Sequence, residues 1–114
     1  MNEQTTEKTL LPGEATQEQI DAWKVQHPEG VHQSIIATDS GKVAIYFKEP
    51  DDSDYAMIMD LLANKQLVKA GILAFQTLKI GGFEIPATDK KLYRTACTEA
   101  TKRINYYETE TVKL

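Results

Sequence analysis

Between Val31 and Lys48 the chain abandons the helical periodicity seen on either side of it. Two runs rich in β-branched and aromatic residues, Val31 to Thr38 and Lys42 to Lys48, are separated only by Asp39-Ser40-Gly41, whose glycine can take positive φ. So short a link joins strands as an antiparallel hairpin, because a parallel pair needs a crossover of a dozen residues or more. In the second run Val43, Ile45 and Phe47 share one face and Ala44, Tyr46 and Lys48 the other, so the first set is expected to face the core. The first run alternates less cleanly and leaves its register open. Two strands alone are marginal in water, and the remaining pattern is helical. The expected class is therefore α+β, an N-terminal helix and a β-hairpin packed against a three-helix C-terminal part.

The helices can be placed by their caps and stripes. Thr16 with Gln19 three residues on is a capping-box pattern, and Ile20, Trp23 and His27 follow along one face until Pro28 and Gly30. After Pro50, the acidic group Asp51-Asp52-Ser53-Asp54 suits the free N–H groups and positive dipole end of a second helix. Its inward stripe is Tyr55, Ile58, Met59 and Leu62, with Met57 and Leu61 lying off it. A third helix, about Leu67 to Lys79, carries Leu67, Val68, Ile72, Phe75 and Leu78 and is expected to be the most buried. Gly81-Gly82 reads as its C-terminal stop, followed by an extended connection through Phe83-Glu84-Ile85-Pro86. Thr88 or Asp89 caps the last helix, whose stripe of Leu92, Ala96, Cys97, Ala100, Ile104 and Tyr107 makes it the longest expected element. Residues 1 to 15 are polar, lack periodicity and end near Pro12-Gly13, so they read as a tail leading into a single domain at 16 to 114.

Composition narrows the function. An apolar fraction of 41% and a charged fraction of 26% in 114 residues belong to a chain that folds around one core. No apolar run approaches the roughly 20 residues that span a bilayer, and the polar N-terminus does not resemble a secretory signal, so no membrane partner and a cytoplasmic location are expected. A net charge of −4 with dispersed lysines and arginines provides no footprint for a phosphate backbone, so nucleic acid is not an expected partner. The single cysteine, Cys97, excludes an internal disulfide and reads as a small buried hydrophobe.

No catalytic, cofactor or metal site is expected. In a calcium-loop alignment of the Asp51 cluster, Ala56 and Leu62 fall where a glycine and a glutamate belong, while helix capping needs only what is present. His27 and His32 lie on different elements without a third ligand. Cys97, in mid-helix, has no histidine at hand to lower its pKa, and Gly81-Gly82 lacks the Gly-Lys-Ser/Thr of a phosphate loop. Two features suit protein binding instead. Lys90, Lys91 and Arg94 crowd the first turns of the last helix while Glu108 and Glu110 follow its end, against the helix dipole. Either tertiary packing absorbs that arrangement or a partner's carboxylates dock on it. Met57, Leu61 and Leu73, off the core stripes, are either peripheral core or an interface, with Met57, Met59 and Phe75 offering adaptable or broad contacts.

The order of landmarks carries a resemblance. A helix with Gln19-Ile20-Asp21-Ala22-Trp23-Lys24, a hairpin ending Tyr46-Phe47-Lys48-Glu49-Pro50-Asp51, a helix pair, and Ile80-Gly81-Gly82 before the last helix resemble the small tail assembly chaperone-type proteins of tailed phages and prophages, particularly those of gut Bacteroidetes. The resemblance covers roughly residues 16 to 114, and the longer leader and Ile85-Pro86 depart from it. It implies a non-enzymatic role in the host cytoplasm, coating the apolar helices of a tape measure protein until tail-tube subunits polymerise around it. The partner-binding residues expected are Met57, Leu61, Leu73, Phe75, Lys90, Lys91 and Arg94. The alternatives are a structural virion or head–tail connector component and a small protein-binding adaptor of bacterial origin, and in each case a homo-oligomer is open.

Overall fold

The computed structural model describes residues 10–104 and 111–114. In chain order it has α1 (Gln17–Gln26), β1 (Val31–Thr38), β2 (Gly41–Lys48), α2 (Asp52–Ala63), α3 (Leu67–Leu78), β3 (Lys79–Gly82) and α4 (Lys90–Thr101). The class is α+β, with four helices and a three-stranded antiparallel sheet in the order β1-β2-β3 among the described residues.

The hairpin closes as its turn chemistry requires. Thr38 pairs with Gly41 across the two residues Asp39 and Ser40, and the ladder runs without a break to Val31 opposite Lys48. The register left open by the first run is set by this turn, which puts Ile36 and Ser34 on the same face as Val43 and Ile45. Ile36, Val43 and Ile45, with Phe47, meet Ile58 of α2, Ala70, Ala74 and Leu78 of α3, and Leu92, Ala96 and Ala100 of α4 in the main core. Full burial of Ile45, Phe47, Ile58 and Leu78 contributes about 1.5–3 kcal/mol each.

The other face of β2 is covered as well. Ala44 and Tyr46 are buried beneath Ala15, with Ile20 and Trp23 of α1, Val31 and Ile80 packed around them. Trp23 and Tyr46 lie with ring centroids 5.1 Å apart. The sheet is therefore sandwiched, α1 on one side and α2 to α4 on the other, which is why Val43-Ala44-Ile45-Tyr46-Phe47 is apolar without interruption.

Part of the leader belongs to this second layer. Residues 1 to 9 lie outside the described residues, but Pro12 C=O accepts the Ala44 N–H at 3.0 Å and the Tyr46 hydroxyl accepts the Ala15 N–H at 3.0 Å. Position 15 is thus seated on the sheet rather than in the tail expected at 1 to 15.

Three further expectations change. Gly81-Gly82 does not stop α3: the helix ends at Leu78, and Lys79–Gly82 turns directly into β3, pairing Gly81 with Tyr46 and Gly82 with Ile45. The glycines are selected by close approach, since a Cβ on Gly81 would lie 2.5 Å from Trp23 Cζ2 and one on Gly82 2.6 Å from the Ala44 carbonyl oxygen. In α3 the buried side is Ala70, Gly71, Ala74 and Leu78, while Leu67 and Val68 are 67% and 77% exposed. The helix has the fewest exposed residues of the four described, as expected, but it is buried through its small side rather than through Leu67 and Val68. The last helix ends at Thr101, the same length as α2 and α3 rather than the longest, with Ile104 buried just beyond a turn. Tyr107, Glu108 and Glu110 lie outside the described residues.

Helix ends follow local chemistry. Thr16 and Gln19 form the expected capping box, and Asp51 and Asp54 form a second one, with Asp51 Oδ1 accepting the Asp54 N–H at 2.8 Å. Asp54 is buried and also faces Lys48 Nζ at 3.5 Å, so the acidic cluster caps α2 and ties it to β2. Asp89, not Thr88, caps α4. At the end of α2 the Gln66 N–H reaches Leu61 C=O and the Lys65 N–H reaches Leu62 C=O, a Schellman closure with Lys65 at φ +61° where glycine is usual.

Candidate functional site

The largest concavity among the described pockets lies between α3 and α4, a groove of about 680 Å³. One wall is Leu67, Val68, Gly71 and Ile72 of α3 with Leu62 from the end of α2. The other is α4, whose Lys90, Tyr93, Arg94, Cys97, Thr98 and Thr101 recur at helical spacing. Eleven residues of helix rise, roughly 16 Å, separate the first and last of these. Gly71 faces Cys97 and Thr101 where the two helices meet, and a Cβ built on it would lie in ordinary contact, 3.4 Å from Cys97 Cβ.

Charge is one-sided. Lys90 and Arg94 stand at the α4 wall, and neither makes an ion pair with a described residue. Their position in the first two turns of α4 also opposes the helix dipole, at a cost of a few tenths of a kcal/mol each. Within the groove, burial pushes the Cys97 thiol up, partly opposed by its hydrogen bond with Tyr93. Burial likewise raises the Tyr93 phenol, reinforced by its neighbour Cys97. Both groups are held protonated at neutral pH, which makes Cys97 an inert apolar contact rather than a thiolate.

The expected partner-binding residues separate into groups. Lys90 and Arg94 line the groove, whereas Lys91 turns to a smaller pocket of about 180 Å³ beside the hairpin turn, with Asp39, Ser40 and Asp89. Met57 is 45% exposed on α2 but does not line the groove. Leu61 and Leu73 are half-buried against the main core. Phe75 is also half-buried, held edge-on between Phe47 and Tyr93, with Lys79 Nζ 5.4 Å from its ring centroid. Leu67, Val68 and Ile72, on the α3 wall of the groove, carry a pattern that by sequence alone reads as buried. The signal that separates them is Ala70, Gly71 and Ala74, a small-residue side marking where a helix packs closest.

Elsewhere His32 pairs with Glu49 across the open end of the hairpin, and His27 closes α1. Among the described residues, no group of three or more His, Cys, Asp or Glu is placed to share a metal ion, and no helix is long and apolar enough to cross a membrane. What fold and site define together is an α+β protein with an apolar, basic-rimmed groove between two helices. Comparison with protein-family models, curated proteins and solved structures gives no match.

Proposed function

We propose that this protein is a non-enzymatic binding factor that holds an amphipathic helix of another protein in the α3–α4 groove. The observation that carries the reading is the placement of exposed Leu67 and Val68 opposite Lys90 and Arg94, which make no ion pair with a described residue. A helix with an apolar stripe flanked by Asp or Glu complements both, and it does so along about three turns of α4. Contiguous exposed apolar side chains rimmed by charge are characteristic of interaction sites.

The resemblance in landmark order supplies the particular client. In the role of a tail assembly chaperone, the groove shields apolar helices of a tape measure protein until tail-tube subunits replace it. A groove that relies on a short apolar floor and two flexible cations suits successive client segments better than one fixed sequence.

Co-expression of the tagged chain with its neighbouring open reading frames, followed by mass spectrometry of what co-purifies, tests this. Recovery of a long, helix-rich partner that is lost on Val68→Glu supports the proposal. Recovery of capsid or tube subunits instead, indifferent to Val68→Glu, overturns it in favour of a structural virion or connector component.

A further inference from the structure

The sheet has two unlike edges. At the β3 edge the strand is four residues long, contains two glycines and has a register shift opposite Tyr46 and Phe47. Beyond it, the Ala44 N–H donates to Pro12 C=O and the Ala44 C=O accepts from the Phe83 N–H, so that side of β2 is filled by the chain itself. The β1 edge is eight residues long and fully regular, and among the described residues no second strand lies outside it.

Ala44 also reveals how β1 is oriented. Both of its backbone groups face away from β1, so its cross-strand partner Ile35 is a non-hydrogen-bonded position and points its own N–H and C=O outward. Alternation extends this to Val31, Gln33 and Ala37. None of these outward groups makes a backbone hydrogen bond to a described residue outside the β1–β2 ladder.

Exposed edges are normally blunted by charge, proline or a bulge. Residues 31 to 38, Val-His-Gln-Ser-Ile-Ile-Ala-Thr, contain no Asp, Glu, Lys, Arg or Pro, the ladder has no bulge, and the only ionisable side chain, His32, is engaged by Glu49. Ile35, in the middle of the strand, is 45% exposed.

We infer that β1 pairs antiparallel with β1 of a second copy, joining two three-stranded sheets into one of six strands. The occupant is a second copy because the edge complements itself. Outward groups alternate symmetrically about Ile35, which falls at or beside the two-fold axis, and the uncharged strand meets its mate without the repulsion that a net charge of −4 imposes elsewhere. This pairing is independent of the α3–α4 groove, which lies between helices on the Phe47 side of the sheet and away from its β1 edge.

Light scattering of the full chain over a range of concentrations tests it. The expected mass is that of two copies, falling to one copy for Ile35→Lys with an unchanged far-ultraviolet circular dichroism spectrum. A wild-type chain that stays monomeric throughout, or a folded Ile35→Lys variant that stays dimeric, overturns the inference. Amide exchange on the unmodified chain decides the matter even where the variant does not fold. The Gln33, Ile35 and Ala37 amides are expected to slow in proportion to the dimer population, and a dimer in which these three exchange at the monomer rate also overturns it.

Discussion

Gly81 lies directly beneath the indole of Trp23, so close that a single methyl group there would stand 2.5 Å from Cζ2 and 2.7 Å from Cη2. This contact fastens α1 to β3 across the Tyr46 face of the sheet, joining the first helix to a strand more than fifty positions away in sequence. Gly81→Ala is expected to push the indole off Tyr46 and cost about 1–3 kcal/mol, as overpacking does. Trp23 is the only tryptophan, so its fluorescence maximum reads the displacement directly, and an unmoved spectrum with unchanged stability contradicts the contact.

Tyr46 should report on the seat of the leader. Its hydroxyl accepts from the Ala15 N–H at 3.0 Å and from Gln33 Nε2 at 2.8 Å. Tyr46→Phe leaves a buried backbone donor unpaired, with an expected loss of about 1–3 kcal/mol in urea denaturation. Faster proteolysis before residue 16 is expected in the same variant.

Lys65→Gly is expected to stabilise. At φ +61° a lysine bears the left-handed penalty that glycine does not, while the Schellman hydrogen bonds of Lys65 and Gln66 involve only backbone atoms. After glycine's greater freedom in the unfolded chain is set against this, a gain of about 0.5–1 kcal/mol should appear as a higher thermal midpoint. A lower midpoint would mean the Lys65 side chain contributes in a way its exposure does not suggest.

Alkaline pH should weaken the fold through the groove. Cys97 and Tyr93 both have raised pKa values in the folded chain, chiefly through burial, so the fold holds their protons more tightly than the unfolded chain does. Their contribution is fully present below the unfolded thiol value, near 9.0, and is lost as pH rises through the folded values. Urea midpoints should be flat around neutrality and fall above about pH 9. Tyr93→Phe should shallow that decline, and an equal slope in the variant would remove Tyr93 from the explanation.

Val68→Glu and Arg94→Glu should leave stability within about 0.5 kcal/mol of the parent chain, because both side chains are exposed. Against an acidic amphipathic helix each should weaken binding, the second more steeply at low salt. Equal affinity in both variants would place the client elsewhere.

Short-range chemistry was enough to locate much of this architecture. Thr16 with Gln19, and Asp51 at the head of α2, mark helix starts because a cap is satisfied within three residues. The hairpin follows from the short glycine-containing link Asp39-Ser40-Gly41, which the structure closes as a two-residue turn, and the core face of β2 from a period of two. Lys90 and Arg94 stand out in the sequence as a breach of the dipole rule, although nothing local shows that they share a wall.

Tertiary structure decided what depends on a distant neighbour. Gly81-Gly82 has the composition of a helix stop, and only the nearness of Trp23 and Ala44 makes it a strand. Leu67 and Val68 have the composition of a core, and only the approach of α4 to Ala70, Gly71 and Ala74 turns them outward as a groove. The physical reason is the same in both cases. Caps, turns and periodicity are local free energies that a few adjacent residues determine, whereas close approach selects for the absence of a side chain, and a missing side chain does not name the neighbour that requires it.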